Sequence, residues 1–233
     1  MTLEQQPAHT ESPGPADRVV ETLRPLKPKL RGWLHAGWTP VALIAGLVLV
    51  IGAPTSLGRL GGAVFLAGSL MLFGTSALYH RFHWGPHAEA VLRRVDHANI
   101  FVFIAATYTP LALLLLTGGS RVLLLTLIWV AAACGLLFRV LWLSAPRWLY
   151  TALYLVMGWA ALGWLPQFWT AGGPLIVALI VAGGLCYSAG AVVYGRKRPD
   201  PWPSWFGFHE IFHSFTILGS AFHFAAIALA TFG

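Results

Sequence analysis

The feature that most constrains this chain is a succession of seven apolar runs of about 20 residues, near 36–55, 59–82, 94–116, 120–141, 147–165, 174–194 and 206–232. A helix rises about 1.5 Å per residue, so each run matches the ~30 Å hydrocarbon core of a bilayer. Inside lipid every backbone polar group must be satisfied within the protein, and runs this long satisfy theirs as helices. Turn-forming stretches separate the runs: GAPTSLG, HWGPHAEA, TGGS, LSAPR, QFWTAGGP and GRKRPDPWPS. Tryptophans gather near the run ends, among them Trp33, Trp38, Trp84, Trp142 and Trp169, as in an interfacial belt. The expected fold is therefore all-α and polytopic, with seven transmembrane helices in one domain over residues 35–233. No internal repeat stands out, which argues against an inverted-repeat transporter.

Composition agrees. Of 233 residues 57% are hydrophobic and 10% charged, whereas soluble domains carry roughly a quarter charged residues. Residues 1–34 form a separate segment. The first 17 or so read as disordered, being rich in Pro, Glu, Gln and Ser. The stretch DRVVETLRPLKPKLRGWL then reads either as a helix lying on the membrane surface or as a flexible basic lead-in. No signal peptide is evident there. Cys134 and Cys186 both fall inside apolar runs, which argues against a disulfide framework or a Cys-based metal site.

A net charge of +7 could suggest nucleic acid, but the basic residues are spread over run ends rather than gathered on one face. They read instead as topology signals. With the N-terminus inside, thirteen of the fifteen Lys and Arg fall on the inner side, and only Arg59 and Arg121 fall outside. The positive-inside rule then predicts a cytosolic N-terminus, an odd number of spans and an outer C-terminus.

Ionisable residues in apolar runs are costly and mark candidate sites. Residues 209–213, HEIFH, match the H-E-x-x-H string of zinc proteases. His209 and His213 lie four apart, so both imidazoles project from one helix face and form a ready pair for a divalent metal. The predicted topology brings His80, at the end of the second run, and Asp96, at the start of the third, to the same membrane surface. Three neutral histidines around zinc leave a fourth position open, and Asp96 is placed to accept a proton there. Ser76 lies one turn before His80 and could donate to the same centre. Zinc is the expected ion, although three imidazoles also suit copper, nickel or cobalt.

Each residue has a plainer reading. Asp96 could pair with Arg93 or Arg94 one turn away, and Ser76 could bond its own helix carbonyl. His83, His87 and His97 read as interfacial or solvated. His223, about 15 Å beyond His213 along a helix, reads as a hydrogen-bonded packing residue.

The stretches SALYH (76–80), RRVDHANIFVFIAATYTP (93–110) and HEIFHSF (209–215) resemble, in that order, the motif regions of the hemolysin III branch of the progestin and adipoQ receptor family. The likeness covers the chain from about residue 35 to its end. It implies seven spans with a cytosolic N-terminus and a zinc ion held by His80, His209 and His213, with Asp96 and Ser76 beside it. It also implies kinship with alkaline ceramidases, which are intramembrane zinc amidases. Eukaryotic relatives often carry Gln where this chain has Glu210; with Asp96 better placed on another helix and no evident route for a peptide into so apolar a chain, Glu210 drops from the expected chemistry and the protease reading is disfavoured.

Two functions follow as expectations. One is a zinc-dependent hydrolase acting on amide or ester bonds of a membrane lipid at the cytosolic leaflet of the cell membrane. The other is a non-enzymatic, zinc-stabilised membrane regulator or receptor-like protein tied to lipid homeostasis. A pore-forming hemolysin is less favoured, because nothing in the chain reads as a soluble-to-membrane switch segment.

Overall fold

The computed structural model describes residues 28–233, and the expectations for the first 27 residues lie outside the described residues. The helices are α1 (Trp33–Gly52), α2 (Ser56–Arg81), α3 (Pro86–Leu115), α4 (Gly118–Leu141), α5 (Arg147–Gly158), α6 (Leu165–Arg196) and α7 (Phe208–Phe232). A short 3₁₀ segment, Ala160–Trp164, joins α5 to α6. Among the described residues the only β pairing is an isolated bridge between Trp202 and Phe206.

Six stretches are long and apolar enough to cross a membrane, with Arg147–Arg196 forming a single one of 50 residues. The expected fifth and sixth runs are thus joined by nearly continuous helix, because the apparent loop between them is itself mostly helical. The join is broken at Gly173, at φ 79° and ψ 176°, a conformation open essentially to glycine alone. The limbs on either side lie along one another. Arg147 Nη1 donates to the Tyr194 carbonyl at 3.1 Å and Trp159 Nε1 to Ser188 Oγ at 2.9 Å.

The centre of the bundle is α3. It is buried over 78% of its apolar window, against 22–44% for the other spans, and it touches α2, α4, α5, α6 and α7. Its start, Pro86, lies well before the apolar run. Proline suits a first helical turn, and residues 86–95, which carry His87, Glu89, Arg93 and Arg94, then extend the helix toward one end of the bundle. The closeness of α2 and α3 depends on small residues: a Cβ placed on Gly68 would stand 2.4 Å from Ala106 Cβ. Outward-facing Ile51, Leu141 and Val156 are more than 70% exposed, as expected for surfaces that meet lipid rather than water.

Candidate metal centre

Local structure brings the predicted residues together. The register of α2 against α3 is held by buried Asn99, whose Nδ2 donates to the Met71 carbonyl at 2.9 Å and to Thr75 Oγ1 at 2.8 Å. That register sets His80, at the end of α2, beside Asp96, the eleventh residue of α3. The start of α7 is fixed by two carboxylates. Asp200 Oδ1 accepts from the Phe208 N–H and Glu210 Oε2 from the Gly207 N–H, each at 2.9 Å. These contacts satisfy amides that a helix N-terminus leaves unpaired. His209 and His213 follow in the first turns, on the face turned to α2 and α3.

The nitrogens of His80, His209 and His213 lie within 4.8 Å of one another, and the Nε2 atoms of His80 and His209 are 3.2 Å apart. Tetrahedral zinc with Zn–N bonds of about 2.0–2.1 Å needs nitrogens roughly 3.3–3.4 Å apart. Three largely buried imidazoles with converging nitrogens therefore fit a divalent metal. Asp96 Oδ2 stands 3.8 Å from His80 Nε2 and 3.9 Å from His97 Nδ1. Neither Arg93 nor Arg94 reaches ion-pair distance of it among the described residues. Ser76, buried one turn before His80, lies close to the same carboxylate.

His97 is partly buried, its ring lying between α3 and α6, with Nδ1 2.8 Å from the Arg93 carbonyl oxygen and Nε2 3.3 Å from Tyr194 Oη. The early start of α3 puts it three turns into the helix. His83 and His87 are exposed. His223 is buried, bonds the Gly219 carbonyl at 2.9 Å and stacks on Tyr187.

Glu210 is 1% exposed and has both oxygens engaged, Oε1 with Arg31 Nε at 2.5 Å and Oε2 with the helix cap. The residue that makes HEIFH look like a protease string is thus a structural carboxylate. Arg31, read from sequence as part of a basic lead-in, belongs to a turn before α1. The Lys29 and Leu30 amides of that turn bond the Ser204 and Trp205 carbonyls.

One residue escaped the sequence reading. His35, on α1, lies flat on His213 with ring centroids 3.7 Å apart and planes 8° from parallel. It is 2% exposed, and neither of its ring nitrogens has a hydrogen-bond partner. Its nitrogens are not among those that converge with His80, His209 and His213, so His35 stands beside the group that would hold an ion rather than in it. The only signal was a histidine one residue ahead of the first apolar run.

Below the histidines runs a narrow cavity of about 140 Å³. Its head is formed by His35, Ser76, Asp96, His209 and His213, and its far end by Leu111, Leu165 and Ile180. Asp96 and Leu111 are fifteen residues apart on α3, a depth of about 22 Å.

A family model described as haemolysin-III related matches residues 23–224. The chain belongs to this family. Within it the chain sits in the haemolysin III branch of the progestin and adipoQ receptor family. It is similar to "Hemolysin-3 homolog" of Bacillus subtilis, 32% identical over 70% of this chain and 74% of that one. It is 30% identical to "Hemolysin-3" of Bacillus cereus over 80% of this chain and 84% of the relative. A more distant likeness is to "Heptahelical transmembrane protein ADIPOR2" of Oryza sativa, 32% identical over 70% and 79% of the two chains. With its apolar helices, this haemolysin-III-related chain is a multi-pass protein of the cell membrane.

Proposed function

We propose that this haemolysin-III-related protein is a zinc-dependent hydrolase that cleaves an amide or ester bond of a membrane lipid at the cytosolic leaflet. One observation carries the reading: three converging imidazoles and a carboxylate stand at the head of a narrow apolar cavity. His80, His209 and His213 would hold the ion, which when bound supplies Lewis acidity that polarises a carbonyl and makes a water easier to deprotonate. Asp96 is the general base, accepting the attacking water's proton at its carboxylate and returning it to the leaving group. Ser76 orients Asp96. The cavity walls hold the acyl chain and keep bulk water from the reacting bond.

We read the bundle as crossing seven times, with Arg147–Arg196 bent at Gly173 into two crossings. The contacts of Arg147 and Trp159 with the far limb support this, as does the word "heptahelical" in the rice relative's name. The bias of Lys and Arg supports a cytosolic N-terminus and an outer C-terminus.

The test is turnover by purified, zinc-loaded protein with N-acylsphingosines, N-acyl amino lipids and phospholipids. Hydrolysis of one class, abolished in Asp96→Asn with zinc retained, is the expected result. No turnover of any class, together with a melting temperature that drops on chelation, would favour the zinc-stabilised regulator instead.

A further inference from the structure

Just outside the histidine cluster lies a second cavity, of about 320 Å³, lined by four arginines: Arg31, Arg93, Arg139 and Arg147. They arrive from the turn before α1, from α3, from the end of α4 and from the start of α5. His97, Tyr194 and His209 border both this vestibule and the apolar cavity, so the two meet at the candidate metal centre.

The arginines are short of counter-charge. Among the described residues only Arg31 has a carboxylate within 4.0 Å, and that carboxylate, Glu210, is shared with a helix cap. Arg139 is 2% exposed. Its guanidinium lies 4.4 Å over the Tyr150 ring, its Nη1 makes one long bond of 3.4 Å to the Trp142 carbonyl, and its Nε has no partner. Arg147 is held 4.5 Å over the Tyr194 ring and donates to the Tyr194 carbonyl. These contacts orient the two guanidinium groups and neutralise neither. The C-terminus of α4 offers Arg139 only about half a negative charge. A buried cation is normally paired with an anion, and here the protein presents a preformed fork without one.

We propose that this vestibule is an anion-binding site that takes a phosphate group. Guanidinium forks match the oxygens of a phosphate in paired hydrogen bonds. Arg139 and Arg147 bring two unpaired positive charges to one cavity, and a phosphate offers more oxygens and more charge to answer them than a single carboxylate does. The phosphate belongs to a lipid headgroup, whose chain enters the apolar cavity past His97 and Tyr194, or to free phosphate. The site stands whether or not the neighbouring centre hydrolyses bonds.

The experiment measures binding of inorganic phosphate and of dioctanoyl phosphatidic acid to the purified full-length chain in a neutral detergent. Arg139→Gln, Arg139→Lys and Arg147→Gln are expected to weaken binding roughly tenfold or more, the lysine variant because it keeps the charge and loses the fork. Arg147 is partly exposed, so its variant tests the site without emptying a fully buried position. Removal of the metal by a chelator is expected to leave phosphate binding intact; loss of binding on chelation would assign the anion to the metal and overturn the proposal. Binding of phosphatidic acid alone identifies a headgroup site, and equal binding of both probes a free-anion site. Equal affinities in wild type, Arg139→Gln and Arg147→Gln would overturn it. So would failure of both probes to bind.

Discussion

Glu210 and Arg31 form an ion pair of 2.5 Å between residues 179 positions apart, with the carboxylate fully buried. The pair clamps the turn before α1 onto the first turn of α7, where two of the candidate ligands sit. Glu210→Gln keeps the amide-accepting oxygen of the cap and removes the charge facing Arg31. Because Arg31 is partly exposed and can turn to water, the expected cost is about 1–3 kcal/mol. Thermal unfolding should detect that loss while metal stoichiometry stays at the wild-type level. Loss of the metal in this variant would restore Glu210 to the chemistry.

His35 stacks on His213, and its nitrogens are unpartnered. Replacing it by Phe keeps a ring against His213 and removes two buried polar atoms. Stability should change by no more than about 1 kcal/mol, and metal content should not change. A fall in metal content by elemental analysis would make His35 a ligand.

Gly173 has open space where a Cβ would stand, so Gly173→Ala isolates backbone strain from packing. At φ 79° and ψ 176° that strain should cost about 1–3 kcal/mol. Unfolding of Gly173→Ala indistinguishable from wild type would contradict the sharp bend in Arg147–Arg196.

The approach of α2 to α3 is tested by two glycines on one helix. Gly68→Ala drives a methyl into Ala106 and should destabilise by about 1–3 kcal/mol. Gly74→Ala meets nothing within 4 Å and should stabilise α2 by roughly 0.5–1 kcal/mol. The same stabilisation in both variants would mean that the helices are not packed at Gly68.

Much of this arrangement was legible because ionisable residues stand out in apolar runs. His80, Asp96, His209 and His213 could be grouped from spacing and topology alone. What spacing does not report is which distant residue answers a buried charge. The partner of Glu210 comes from the turn before α1, and the burial of Arg139 comes from packing against Tyr150 and Trp142. From sequence, Arg139 was one more topology signal at the end of a run. His35 was missed for a related reason, since it precedes the first run by one residue. The helix on either side of the break at Gly173 was hidden because Gly and Pro read as a loop even where the flanking residues stay helical.

The central claim is a metal held by His80, His209 and His213. It is tested most directly by elemental analysis of the purified wild-type chain and of the His209→Ala, His213→Ala double variant. About one zinc per wild-type chain is expected, and none in the double variant, with both proteins folded by circular dichroism. Equal zinc in the two proteins would contradict it.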